Sequence, residues 1–193
     1  SEGEFVRLSR CLECPDPPVH PSYPRAIQII MLTGQRVEEI ARLHVDQWDA
    51  RERIIDWTRT KNLQPHAVPV PSLAAELIES ITPNKYGWFF PSAKDPSKPV
   101  SHGTLYSFIW RQRERGVIPH ATNRDLRRTF KTLAGKAGVP KEIRDRIQNH
   151  ALQDVSSKHY DRWNYMVEKR AGMAKWDKFV RAMLAKKRLK AAA

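Results

Sequence analysis

Residues 122–150 read TNRDLRRTFKTLAGKAGVPKEIRDRIQNH, and this stretch decides the fold. Thr122 followed three residues later by Asp125 is a capping-box-like start, because each side chain can accept from the other's backbone N–H. The helix it starts is expected to run to about Ala137. Gly138 supplies the stop, and Pro140 suits the first turn of a second helix running through about Gln148. Two helices joined by a tight turn put this part of the chain in a helical class.

Working outward, residues 101–115 carry Leu105, Phe108 and Ile109 at helical spacing. Further helices are expected at 2–12 with Phe5, Leu8 and Leu12 on one face, and from Tyr23 with Ile27, Ile30 and Met31. The five prolines of 15–24 separate those two. Thr33-Gly34 interrupts the period before a helix carrying Arg36, Glu39, Ile40 and Leu43. Residues 52–58 and 67–70, rich in Ile, Val, Trp and Thr, read as a hairpin, with Pro69 assigning the second strand to an edge. Ser72 is read as the cap of a helix through Ile81, and Trp88-Phe89-Phe90 as a buried strand or loop. Beyond the central stretch, helices are expected over about 156–163 and from Tyr165 to Leu184. The second carries a stripe of Met166, Met173, Trp176, Phe179, Val180 and Met183, which packs on its own chain or on a neighbour. Residues 185–193 read as a frayed, disordered tail. The expected class is mainly α with a small antiparallel β-sheet.

The 193 residues suit one domain and are enough to bury a core. No apolar run approaches the ~18 residues of a membrane span, and the opening Ser-Glu-Gly-Glu has no basic-then-apolar signal pattern. Two cysteines make no disulfide scaffold. Cys11-x-x-Cys14 with His20 offers at most three of the four ligands of a structural zinc, so the expectation is two ordinary thiols and no metal. The net charge of +13 is unevenly placed: residues 1–100 hold 12 Lys/Arg against 13 Asp/Glu, and residues 101–193 hold 22 against 8. Such asymmetry points to a polyanionic partner, nucleic acid first and an anionic membrane surface second.

Arg124 and Arg127 stand at i, i+3 on one helix face, with Arg128 ~100° away. Guanidiniums converging beside a helix start make a phosphate site. Taken singly, RxxRR, Lys61, His150 and Tyr160 read as solvated or helix-end residues. Their order reads otherwise. TGQRVEEIARL (33–43), TKNLQPHAVPV (60–70), RDLRRTFKTLAGKAGV (124–139), IQNHA (147–151) and SSKHYDRW (156–163) closely resemble the catalytic domain of the tyrosine recombinases, the phage-integrase family, over about residues 20–180. The flanks look most like integrases of prophages and genomic islands.

The resemblance implies the DNA breaking-rejoining fold and a catalytic set of Arg36, Lys61, Arg124, Arg127, His150 and the nucleophile Tyr160. Arg128, Lys131 and Lys158 are the expected further DNA contacts. It implies a covalent 3′-phosphotyrosine intermediate with a free 5′-hydroxyl, used to integrate or excise a mobile element, with no cofactor. The implied partner is double-stranded DNA carrying an attachment site, bound by four copies, with a monomer off DNA and no membrane contact. The implied place is the bacterial cytoplasm, at the nucleoid. It also marks residues 1–193 as a single catalytic domain, a fragment without the family's N-terminal core-binding and arm-binding domains. One position departs from the pattern: Arg124 stands where the family usually has His, and an Arg, with its pKa above ~12, is no general base. A catalytically silent DNA-binding relative and a type IB topoisomerase-like activity are the alternatives.

Overall fold

A computed structural model describes residues 1–13, 20–57, 65–116, 122–150 and 164–192. Eight helices and one sheet make up the described chain: α1 (Glu2–Glu13), α2 (Ser22–Thr33), α3 (Val37–Ala41), β1 (Trp48–Asp49), β2 (Ile54–Trp57), β3 (His66–Pro69), α4 (Ser72–Glu79), α5 (His102–Glu114), α6 (Asn123–Lys136), α7 (Lys141–Ile147) and α8 (Met166–Ala192). The sheet is antiparallel in the order β1-β2-β3, with Trp57 opposite His66 and Ile54 opposite Pro69. Pro69 therefore lies on an edge strand, where its missing N–H leaves no central ladder incomplete. The two-residue β1 is too short to show a period in the sequence.

α2 is the central helix: nine of its residues from Tyr23 to Thr33 are buried, and it packs against α1, α3, α4 and α6. Gly34 ends it at φ 68°. Arg36 is extended and caps α3 rather than lying inside it, and Glu39 completes the box by accepting from the Arg36 backbone N–H at 3.1 Å. The Thr122–Asp125 box opens α6 as expected, and Gly138 closes it at φ 83°. Ser72 does not cap α4. Pro71 holds that position, and the Leu73 N–H is instead accepted by Asp177 Oδ1 of α8 at 2.9 Å. Phe89 and Phe90 are buried in a loop that carries isolated β-bridges and not a strand.

The apolar stripe of α8 packs on its own chain. Trp176 is fully buried between Phe5 and Phe130, edge-on at 5.9 and 5.3 Å, and its indole N–H donates to Leu32 O at 2.7 Å. Burial of such a ring contributes about 4–6 kcal/mol. α8 continues to Ala192, past the Leu184 boundary set by the stripe and through the stretch expected to be frayed. Residues 185–192 (AKKRLKAA) are strong helix formers, and propensity favours the continued helix. The helix expected at 156–163 lies outside the described residues. Among those described, no helix is long and apolar enough to cross a membrane.

Candidate active site

The C-terminus of α7 organises the site. A helix end leaves carbonyls without intrahelical partners, and here three consecutive ones are spoken for. Ile147 O accepts from Gln35 Nε2 at 2.9 Å and from His66 Nε2 at 3.1 Å. Gln148 O accepts a short bond from Arg127 Nη2. Asn149 O accepts from Arg36 Nη2 at 3.1 Å. Asn149 itself takes φ 48°, turning the chain out of the helix. Each guanidinium has a second anchor: Arg36 Nη1 pairs with Glu39 at 2.9 Å, and Arg127 Nη1 donates to Gly34 O at 2.9 Å. Gln148 Nε2 ties the two seats together, donating to Gly34 O and Arg127 O.

Arg36, Arg124, Arg127 and His150 all line one open cleft of about 600 Å³, together with Gln35, Glu38, His102, Tyr106 and Thr122. Burial first, and then the charge of Arg36, push the Arg127 pKa down to about 10, with Glu39 pulling it up. Arg127 therefore stays protonated at neutral pH, and two cations held close together favour an anion between them. Arg124 is exposed, and its side chain makes no hydrogen bond or ion pair among the described residues.

His150 is held by α7. Its Nδ1 lies 2.9 Å from Asp145 Oδ1, so Nδ1–H donates to the carboxylate and Nε2 is the remaining ring nitrogen. Burial is the largest cause lowering the His150 pKa, with Arg127 and Lys131 adding to it and Asp145 opposing, so the neutral ring is favoured. Lys131 is salt-bridged to Asp145, its Nζ 3.3 Å from the ring of His150. Its ammonium is thus paired within the support of His150. Arg128 is well exposed beside Asp125, at 3.6 Å. Lys61, Lys158 and Tyr160 lie outside the described residues. The described flanks of the Tyr160 stretch both meet α7: His150 bonds Asp145, and the Arg146 guanidinium sits 3.4 Å over the Tyr165 ring.

Sequence reading assigned no role to Gln35, His66, Asp145 or Gln148, although Gln35, His66 and Gln148 lie inside the family-like stretches. The available signal was His66 in a hairpin strand, where an imidazole among Val and Pro needs a buried partner. His66 is 4% exposed, and burial, reinforced by the charge of Lys169, lowers its pKa from 6.5 to about 3. The folded ring stays neutral while the unfolded one binds a proton below pH 6.5. Stability from this group is therefore complete above pH 6.5 and is lost as pH falls toward 3. The expected slope is up to about 1.4 kcal/mol per pH unit. Denaturant titrations from pH 6 to 4 should show a shallower loss in His66→Gln than in wild type; equal slopes would refute this. Among the described residues, no group of three His, Cys, Asp or Glu could hold a metal ion. Cys11 is a free thiol hydrogen-bonded to Gln112.

The helical scaffold, the three-stranded sheet and the arginine-lined cleft define a tyrosine recombinase catalytic domain. The phage integrase family model matches residues 10–165, and the chain belongs to that family. It is 33% identical over 142 residues to the prophage integrase IntF of Escherichia coli K12, covering 70% of this chain and 30% of that protein. With the prophage integrase IntA of the same organism it shares 27% over 156 residues, 79% of this chain and 37% of that protein. The chain thus spans about a third of the length of these curated relatives. In fold it is similar to an integrase from mycobacterium phage Brujita (TM-score 0.71, 19% identity, 95% of this chain and 62% of the other). It is also similar to the lambda integrase dimer bound to a COC′ core site (TM-score 0.62, 17% identity, 82% and 46%).

Proposed function

We propose that this chain is the catalytic domain of a site-specific DNA recombinase that integrates or excises a mobile element through a covalent 3′-phosphotyrosine. The observation that carries this reading is the convergence of Arg36, Arg124, Arg127 and His150, from three separate segments, on one cleft. In the cleavage step Tyr160 Oη attacks the scissile phosphorus and forms an O–P bond while the P–O5′ bond breaks. The phenolic proton passes to His150 Nε2, the acceptor that Arg124 is not, and the departing 5′ oxygen takes a proton from Lys61. Arg36 and Arg127 clamp the charge that builds on the non-bridging oxygens, with Arg124 adding donors. Rejoining is the reverse, with a 5′-hydroxyl as nucleophile, and neither direction requires a metal. The partner is double-stranded DNA, engaged by four copies on an attachment site and by single copies off it.

Covalent trapping tests the reading. A nicked duplex spanning the element's attachment site is incubated with wild type and with Tyr160→Phe and run on a denaturing gel. A DNA-linked band that vanishes in Tyr160→Phe is the expected result. No band with DNA binding intact would favour the silent DNA-binding relative, the one reading that Arg124 supports, and Arg124→His would then be the repair to try. Relaxation of plasmids lacking the site would favour the topoisomerase alternative.

A further inference from the structure

His66 begins β3 and stacks on Trp57 across the hairpin, ring centroids 5.8 Å apart and nearly parallel. Its Nε2 lies 3.1 Å from Ile147 O and 3.2 Å from Gln35 Oε1. Gln35 Nε2 donates to Thr33 O and Ile147 O, which leaves its oxygen toward the imidazole. Both neighbours of Nε2 are therefore acceptors, and Nε2 must carry the hydrogen.

These two acceptors flank the two arginine seats. Gln35 precedes Arg36 in the chain. Ile147 precedes Gln148 and Asn149, whose carbonyls hold Arg127 and Arg36. One buried N–H thus braces the Gln35 side chain against Ile147 O, reinforcing the Gln35–Ile147 bond that joins the two segments orienting both guanidiniums. It does so from a strand fixed in turn by Lys169 Nζ of α8, which donates to Ala67 O at 2.9 Å.

We propose that His66 is a positioning residue for strand cleavage, its Nε2–H holding the Gln35 and Ile147 segments in register so that Arg36 and Arg127 meet the phosphate together. This rests on the recombinase reading. The burial that keeps the ring neutral lets it serve as the same donor across the working pH range. Core packing alone would need only the ring's volume and its stack on Trp57.

Two variants separate these roles. His66→Phe keeps volume and stack without the donor, and His66→Gln restores an amide N–H. Backbone amide exchange at Gln148, Asn149 and His150 is read on the DNA-free chain, and it should quicken about tenfold in His66→Phe, as loss of one buried hydrogen bond allows. Single-turnover cleavage of the nicked duplex should fall about 30-fold in His66→Phe, on the scale of a small misplacement of catalytic groups. DNA affinity should be unchanged, and His66→Gln should return most of both losses. A 5′-bridging phosphorothiolate duplex, whose sulfur leaves without a proton, should not rescue His66→Phe, since the arginines and not the Lys61 acid are disturbed. Rescue by sulfur, wild-type exchange and cleavage in His66→Phe, or a His66→Gln no better than Phe would each overturn the proposal. If wild type forms no adduct, the recombinase reading falls. The exchange arm then still decides whether His66 holds the seats: quickened exchange supports it, and unchanged exchange overturns it.

Discussion

Arg127→Ala is expected to lower the single-turnover rate of Tyr160–DNA adduct formation by about a thousandfold, roughly 4 kcal/mol of transition-state stabilisation. Two effects add. The variant loses a guanidinium that is partly buried, fully charged and paired across the cleft with Arg36, so a charge-assisted clamp disappears where solvent screening is weak. It also unseats its surroundings, because Gly34 O and Gln148 O each lose a donor. That second loss costs about 1–3 kcal/mol of stability. DNA affinity should change little, since phosphate contacts elsewhere carry most of it. Arg127→Lys should recover no more than about tenfold of the rate, because one ammonium cannot span two carbonyls and a phosphate as a planar fork does. A rate for Arg127→Ala within tenfold of wild type would remove Arg127 from the clamp.

Gly34→Ala should destabilise the chain by about 3–5 kcal/mol, near 10 °C in melting temperature at this length. Gly34 sits at φ 68°, where a side chain is strained, and a Cβ there would overlap the Phe130 ring, with Cε1 at 2.9 Å. Phe130 cannot yield, because it is fully buried against Trp176. The carbonyl of the same residue accepts from Arg127 and Gln148, so the strain reaches the cleft directly. Cleavage by the folded fraction should therefore fall as well. A thermal melt unchanged in Gly34→Ala would show that α2 and α6 can part at no cost, against the packing described.

Much of this fold is written in local signals. Thr122, Asp125 and Gly138 mark the limits of α6 because capping and left-handed turns depend on a few adjacent residues. Pro69 marks an edge strand because one missing N–H decides it. The cap of α4 was misread at Ser72 because its true partner, Asp177, lies more than a hundred residues away. The two-residue β1 escaped because a period needs more residues than that.

The site divides the same way. Arg36, Arg124, Arg127 and His150 were named because their order along the chain matched a family; taken singly, each reads as a solvated or helix-end residue. Gln35, His66, Asp145 and Gln148 were not, since an amide, an imidazole or a carboxylate has no fixed meaning until something is placed beside it. By itself, the sequence determined the helical class, the helix limits around α6 and the identity of the charged groups. Only tertiary structure decided that the spare carbonyls of α7 would orient both arginines, and that a hairpin histidine would lock them. Those bonds join residues up to 113 positions apart, and hydrogen bonds of that range are set by how helices and strands pack, not by any neighbour in the chain.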